Sequence, residues 1–177
     1  MSTPELHRRM AEMEKTEVLF AVITVSTSRY LRKAQGKELS DESGDIATEM
    51  IGEAGFRVIY RDIIADNKKQ ILESLSRAVR RGCNAIIYIG GTGITRDDIT
   101  VETLRRKFQK EIVGFGEIFR HLSYQEIGPS AMLSRTTAGI YRNTAIFILP
   151  GSKNAVRLAL EKLILPEIKH IIYLINR

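Results

Sequence analysis

Four apolar runs set the architecture of this chain: Val18 to Val25, Arg57 to Ile64, Ala85 to Ile89 and Thr144 to Leu149. Each is strand-sized and far short of the roughly 20 residues that span a bilayer. Between the first three runs the spacing changes to that of a helix. Ala47, Met50, Ile51 and Ala54 fall at i, i+3, i+4 and i+7 before Gly55, and Ile71, Leu75, Ala78 and Val79 share a face before Gly82. Alternation of near-continuous apolar strands with amphipathic helices predicts a parallel sheet covered on both faces. Thr136 to Tyr141 and Thr144 to Leu149, joined by Arg142-Asn143, read as a hairpin added to that sheet. The remaining helices are expected over Val101 to Phe108, Gly114 to about Ile127, and from Pro150-Gly-Ser-Lys-Asn154 onward. Pro166 is expected to bend or interrupt the last, and the apolar tail Ile171 to Ile175 to pack on the body or on a neighbouring subunit.

With 177 residues, 44% hydrophobic and 27% charged, the chain suits one globular domain. Residues 1–15 are expected to form a flexible arm and 16–177 a single domain. Met1 to Glu14 is polar, without the apolar middle of a signal peptide, so a cytoplasmic protein with no membrane partner is expected. The single cysteine, Cys83, excludes an internal disulfide and reads as a packing residue. A net charge of +6 favours an anionic partner. The basic pairs are dispersed and not interleaved with aromatics, so nucleic acid is not the expected partner.

In an open parallel sheet, ligands bind beyond the carboxyl ends of the strands. Four loops there concentrate glycine, hydroxyl and carboxylate groups: Ser26 to Arg29, Asp66-Asn67, Gly90 to Asp98 and Pro150 to Asn154. Gly90-Gly-Thr-Gly93 directly follows a buried-looking strand, where backbone N–H groups can cradle an anion. It is neither a P-loop, since no Gly-Lys-Ser/Thr follows, nor the dinucleotide pattern, which breaks at Arg96. Gly90, Gly91, Thr92, Gly93, Gly151 and Ser152 therefore point to phosphate, with Lys153 as an added charge. Asp66 and Asp98 suit a magnesium ion, which takes one or two carboxylates and completes its shell with water and phosphate. Both also suit a second reading, as caps of the helices that follow them.

Thr24-Val-Ser26, Asp41-Glu-Ser-Gly44, Gly90 to Gly93 with Asp98-Ile-Thr100, Gly114-Phe-Gly-Glu-Ile-Phe-Arg120, Ser134-Arg135 with Ala138-Gly139, and Pro150-Gly-Ser152 occur in the order seen in the molybdenum cofactor biosynthesis family. The resemblance covers roughly Val18 to His170, and Phe119 to Gly128 is most similar to the protein B branch. It implies a three-layer α/β/α sandwich with a mostly parallel central sheet, assembled as a homo-oligomer, trimer or hexamer. It also implies adenylyl transfer from magnesium-ATP to the phosphate of molybdopterin, with other cofactor-biosynthesis proteins as further partners. By resemblance, Asp66 and Asp98 are the catalytic and metal positions. Gly90, Gly91, Thr92 and Gly93 would hold nucleotide phosphate, and Ser26, Ser134, Pro150, Gly151 and Ser152 would line the nucleotide and pterin site. One departure stands out: members often carry arginine immediately before the second aspartate, whereas this chain has Asp97, with Arg96 one place earlier. A binding protein that carries the pterin unchanged is the alternative function.

Overall fold

The computed structural model describes residues 17–37 and 40–177; the expected arm at residues 1–15 lies outside them. Among the described residues, six strands form one sheet in the order β2-β1-β3-β6-β5-β4. β1 (Leu19–Val25) lies between β2 (Arg57–Ile64) and β3 (Ala85–Ile89), parallel to both, and β3 runs parallel to β6 (Thr144–Leu149). β5 (Thr137–Tyr141) and the two-residue β4 (Lys110–Glu111) extend the edge antiparallel. The β5–β6 hairpin turns tightly at Arg142, which takes φ 52°. Its pairing of Tyr141 with Thr144 leaves only Arg142-Asn143 in the turn, as the sequence predicts.

Successive strand residues face opposite sides of a sheet, and both sides here are buried. Phe20, Val22, Ile87, Ile89, Phe147 and Leu149 pack on one side under α2 (Glu42–Glu53), α5 (Val113–Ile127), α6 (Lys153–Ala159) and α7 (Leu165–Ile175). Ala21, Ile23, Ile86, Tyr88, Ile146 and Ile148 pack on the other under α3 (Lys68–Arg80) and α4 (Thr100–Arg105). This is the three-layer α/β/α arrangement. Cys83 is buried in the second cluster, as a packing residue. No helix among the described residues is long and apolar enough to cross a membrane.

Three local expectations need correction. The polar stretch after β1 is not all loop: Thr27–Ala34 forms a helix, α1. It buries none of its residues, so no apolar stripe announces it; its signals are Ser26 as N-cap and Arg32 and Lys33 in the last turn. α4 is shorter than Val101 to Phe108, and the chain after it becomes β4. α5 ends at Ile127 as expected, and Gly128-Pro129 opens a 3₁₀ stretch, Gly128–Leu133. Pro166 sits at the start of α7, immediately after a π-helical turn, Leu160–Ile164, so the ladder widens rather than breaks. The tail packs on the body, with Ile172 and Tyr173 buried.

Candidate functional site

The chain leaves β1 for β2 on one side and reaches β3 on the other, so the crevice beyond the carboxyl ends of β1 and β3 is the topological switch point of the sheet. Ser26, after β1, and Gly90, after β3, stand there. Gly90 takes φ 108°, and a Cβ at this position would collide with the carbonyl oxygen of Val25. Its N–H donates to the carbonyl of Leu149 at 2.9 Å. A Cβ on Gly151 would stand 3.8 Å from the Cα of Gly90. The ends of β1, β3 and β6 thus converge on one glycine.

The remaining loops close on this point. Gly91 takes φ 63°, and a Cβ there would lie 2.6 Å from Oδ2 of Asp66 and overlap Oγ1 of Thr100. A Cβ on Gly93 would lie 2.6 Å from Oδ2 of Asp98. The backbone N–H of Asp66 donates to Oγ1 of Thr27 at 3.1 Å, tying the loop after β2 to that after β1. Ser43 donates to the carbonyl of Gly151 at 2.8 Å and brings the start of α2 to the same rim. That helix start is fixed by buried Asp41, whose Oδ2 accepts from Thr24 Oγ1 at 2.7 Å and from Arg61 Nη2 at 2.9 Å. A Cβ on Gly44 would overlap this carboxylate, which accounts for Asp-x-x-Gly in the motif.

Neither aspartate is a helix cap. Asn67 caps α3, accepting from the N–H of Gln70 at 2.9 Å, and α4, with Ile99 at its N-cap position, has no side-chain cap. Asp66 is half-buried and poorly supplied with donors. Burial pushes its carboxyl above the usual range, Asp98 and Asp97 add repulsion, and the N–H of Ile99 and the hydroxyl of Thr100 offset only part of this. The Thr100 contact is long, at 3.5 Å. Asp98 differs: burial opposes its charge, but the hydroxyl and N–H of Thr95, at 2.5 and 3.0 Å from Oδ2, hold its carboxyl below the usual range.

Ser26 and Ser152 both serve as N-caps, of α1 and α6, accepting from the N–H groups of Arg29 and Ala155 at 3.4 and 3.3 Å. Lys153 pairs with Glu42 at 2.5 Å across the rim. Pro150 is half-buried beside Gly151. Thr92 is buried, and its carbonyl accepts from Arg135. Ser134 stands apart: its hydroxyl lies 2.7 Å from that of Thr136, in a neighbouring cavity of about 430 Å³ shared with Glu102, Arg120 and Arg135. Thr27, Ser43, Thr100 and Arg135 are rim residues that the sequence does not single out as site residues. A larger hollow of about 660 Å³ lies between α1, β2 and α3, but of its two carboxylates Asp62 is already held by Lys33, Arg77 and Tyr60, and Glu73 faces Lys69 at 4.0 Å. The convergent loops are the better candidate.

A family profile described as "Probable molybdopterin binding domain" matches residues 21–170. The chain is 40% identical over 179 residues to molybdenum cofactor biosynthesis protein B of Bacillus cereus, covering 100% of this chain and 99% of that protein. It is 43% identical over 157 residues to the molybdopterin adenylyltransferase of Pyrococcus furiosus, covering 86% and 88%. Among solved structures, the tungsten cofactor synthesizing protein MoaB from Pyrococcus furiosus superposes with a TM-score of 0.81 at 39% identity, over 92% of this chain and 99% of that one. By sequence and by fold, the chain belongs to the molybdopterin-binding-domain family of molybdenum cofactor biosynthesis.

Proposed function

We propose that this protein is a molybdopterin adenylyltransferase. The observation that carries the reading is the convergence of Asp66 and Asp98, from different loops, on Gly91 and Gly93 of the glycine loop. An oxygen of the pterin's terminal phosphate attacks the α-phosphorus of ATP. The bond between that phosphorus and the bridging oxygen to the β-phosphate breaks, and pyrophosphate leaves with the electron pair. The reaction joins two polyanions, so the protein's task is alignment and charge screening. Backbone N–H groups of Gly91 and Thr92 and of Gly151-Ser152 would donate to phosphate oxygens, since those of Gly90 and Gly93 already serve the carbonyl of Leu149 and the carboxylate of Asp98. Ser26, with its neighbour Thr27, and Ser134 would line the nucleotide and pterin site.

The residues fit a magnesium ion. Asp66 is a half-buried carboxylate among like charges with few donors, and a hard divalent cation supplies the missing countercharge. Among the described residues no group of three or more His, Cys, Asp or Glu could enclose a metal, which leaves coordination positions to water and substrate phosphate. When bound, the ion would neutralise phosphate charge; Asp66 and Asp98 would hold it. We propose the cytoplasm, where ATP is supplied, as its compartment.

Purified protein given molybdopterin and magnesium-ATP is expected to release pyrophosphate, one per adenylylated pterin, in a coupled phosphate assay. Release no faster than a no-enzyme control would overturn the reading. It would favour a carrier that binds the pterin unchanged, an alternative supported by the extra negative charge of Asp97 beside Asp66. We also propose a homo-oligomer, trimer or hexamer. Val113, Tyr124 and Ile127 of α5 and Met132 and Leu133 beyond it are at least half exposed, an apolar surface suited to a second copy. Native mass spectrometry is expected to give three or six chains, and a monomer at micromolar concentration would refute it.

A further inference from the structure

We propose that Arg135 is a positioning residue that clamps the glycine loop into the shape its substrate phosphates need, an inference that rests on the adenylyl-transfer reading of the same site. One guanidinium reaches both ends of the loop. Its Nε donates to the carbonyl of Thr92 at 3.3 Å and its Nη2 to the carbonyl of Asp98 at 2.8 Å. Its Nη1 pairs with the carboxylate of Glu102, on α4. Thr92 and Asp98 bracket the stretch 93–97, which lacks regular structure and whose Ile94 is 70% exposed. Within that stretch the described bonds are a local turn, with the N–H of Asp98 donating to the carbonyl of Thr95, and the N–H of Gly93 and the N–H and hydroxyl of Thr95 donating to the carboxylate of Asp98. Arg135 ties this turn to the body from a distant segment, between the 3₁₀ stretch and β5.

The chemistry of the clamp requires arginine. A planar guanidinium presents several N–H donors in a fixed fork, and here three of its nitrogens serve three different acceptors. A lysine ammonium keeps the charge but is a point donor on a flexible stem, without that fork. A backbone carbonyl bound to a cation is held away from a phosphate, which it would otherwise repel. The guanidinium also places positive charge near Asp98 without occupying its carboxylate oxygens, since it binds the backbone carbonyl of that residue. Arg135 therefore acts through the loop and not on the reacting atoms.

The test compares the full chain with Arg135→Lys and Arg135→Gln, measuring amide hydrogen exchange of peptides covering residues 91–99 and steady-state pyrophosphate release. Loss of the two carbonyl bonds is expected to speed exchange of the loop about tenfold in both variants. kcat/KM for ATP is expected to fall at least about tenfold in both, with Lys no better than Gln. Glu102→Gln, which removes one ion-pair partner but neither carbonyl bond, is expected to leave loop exchange within about twofold of wild type. Thermal unfolding accompanies each variant, and Arg135→Lys keeps the test open if the Gln protein is unstable. Unchanged loop exchange in Arg135→Lys overturns the clamp, as does faster exchange with normal turnover, or recovery of turnover by lysine. If the wild type releases no pyrophosphate, the adenylyl-transfer reading falls and loop exchange alone decides whether the clamp exists.

Discussion

Asp66→Asn and Asp98→Asn are each expected to lower pyrophosphate release by about a hundredfold or more while changing folding stability by no more than about 1 kcal/mol. The split follows from what each carboxylate touches. α3 is capped by Asn67 and α4 has no side-chain cap, so neither aspartate holds a helix end. The Asp66 carboxyl is raised on folding, first by burial and then by Asp98 and Asp97. A carboxyl whose pKa rises on folding opposes the folded state once ionised, so a neutral amide at 66 relieves a cost. Asp98 has the opposite sign, because Thr95 favours its ionised form. An amide oxygen at 98 still accepts the N–H and hydroxyl of Thr95, which keeps the loss small. On the proposed reading, what both variants lose is negative charge that would hold a cation between polyanionic substrates. Turnover measured beside thermal unfolding separates the two effects; normal turnover in both variants would remove Asp66 and Asp98 from the mechanism.

The sheet was legible because its strands are buried on both faces. Ala85 to Ile89 reads as one apolar run because Ile86 and Ile87 pack against different helical layers, and no periodicity is needed to see a strand of that kind. α1 was not legible for the complementary reason: it buries nothing, and a helix without an apolar stripe resembles a polar loop. The loops beyond the strand ends could be located from strand order alone, since Gly90 and Ser26 follow adjacent parallel strands. Their internal wiring could not. Whether Asp66 or Asn67 caps α3 is decided by backbone geometry at two neighbouring residues that both make good caps. Arg135 is 37 positions from the carbonyl it binds at Asp98, and only its place beside Ser134 in a family motif hinted at it. Side chains that act on backbone atoms leave no pattern of residue types to read, because every residue offers the same carbonyl.

The three glycines of the loop should fail in different ways when given a side chain. Gly90→Ala is expected to destabilise the fold by about 3 kcal/mol or more, lowering Tm by about 10 °C. At φ 108° an alanine is strained whatever its surroundings, and its Cβ would meet the backbone carbonyl of Val25. That carbonyl belongs to β1, the strand paired on both sides with β2 and β3, so it has nowhere to move. Gly93→Ala has no such conflict, because its φ lies outside the left-handed region and its neighbour is the partly exposed carboxylate of Asp98, 2.6 Å from the new Cβ. That side chain can swing away, so stability should stay within about 1 kcal/mol of wild type while turnover falls with the displaced Asp98. Gly91→Ala combines both faults, with φ 63° and a Cβ against Thr100 and Asp66. Differential scanning calorimetry with the pyrophosphate assay reads the series. If Gly90→Ala melts as the wild type does, the loop is not pinned to β1. If Gly93→Ala loses stability but keeps its activity per folded molecule, the glycine at 93 serves the fold and the approach of Asp98 to the loop is incidental.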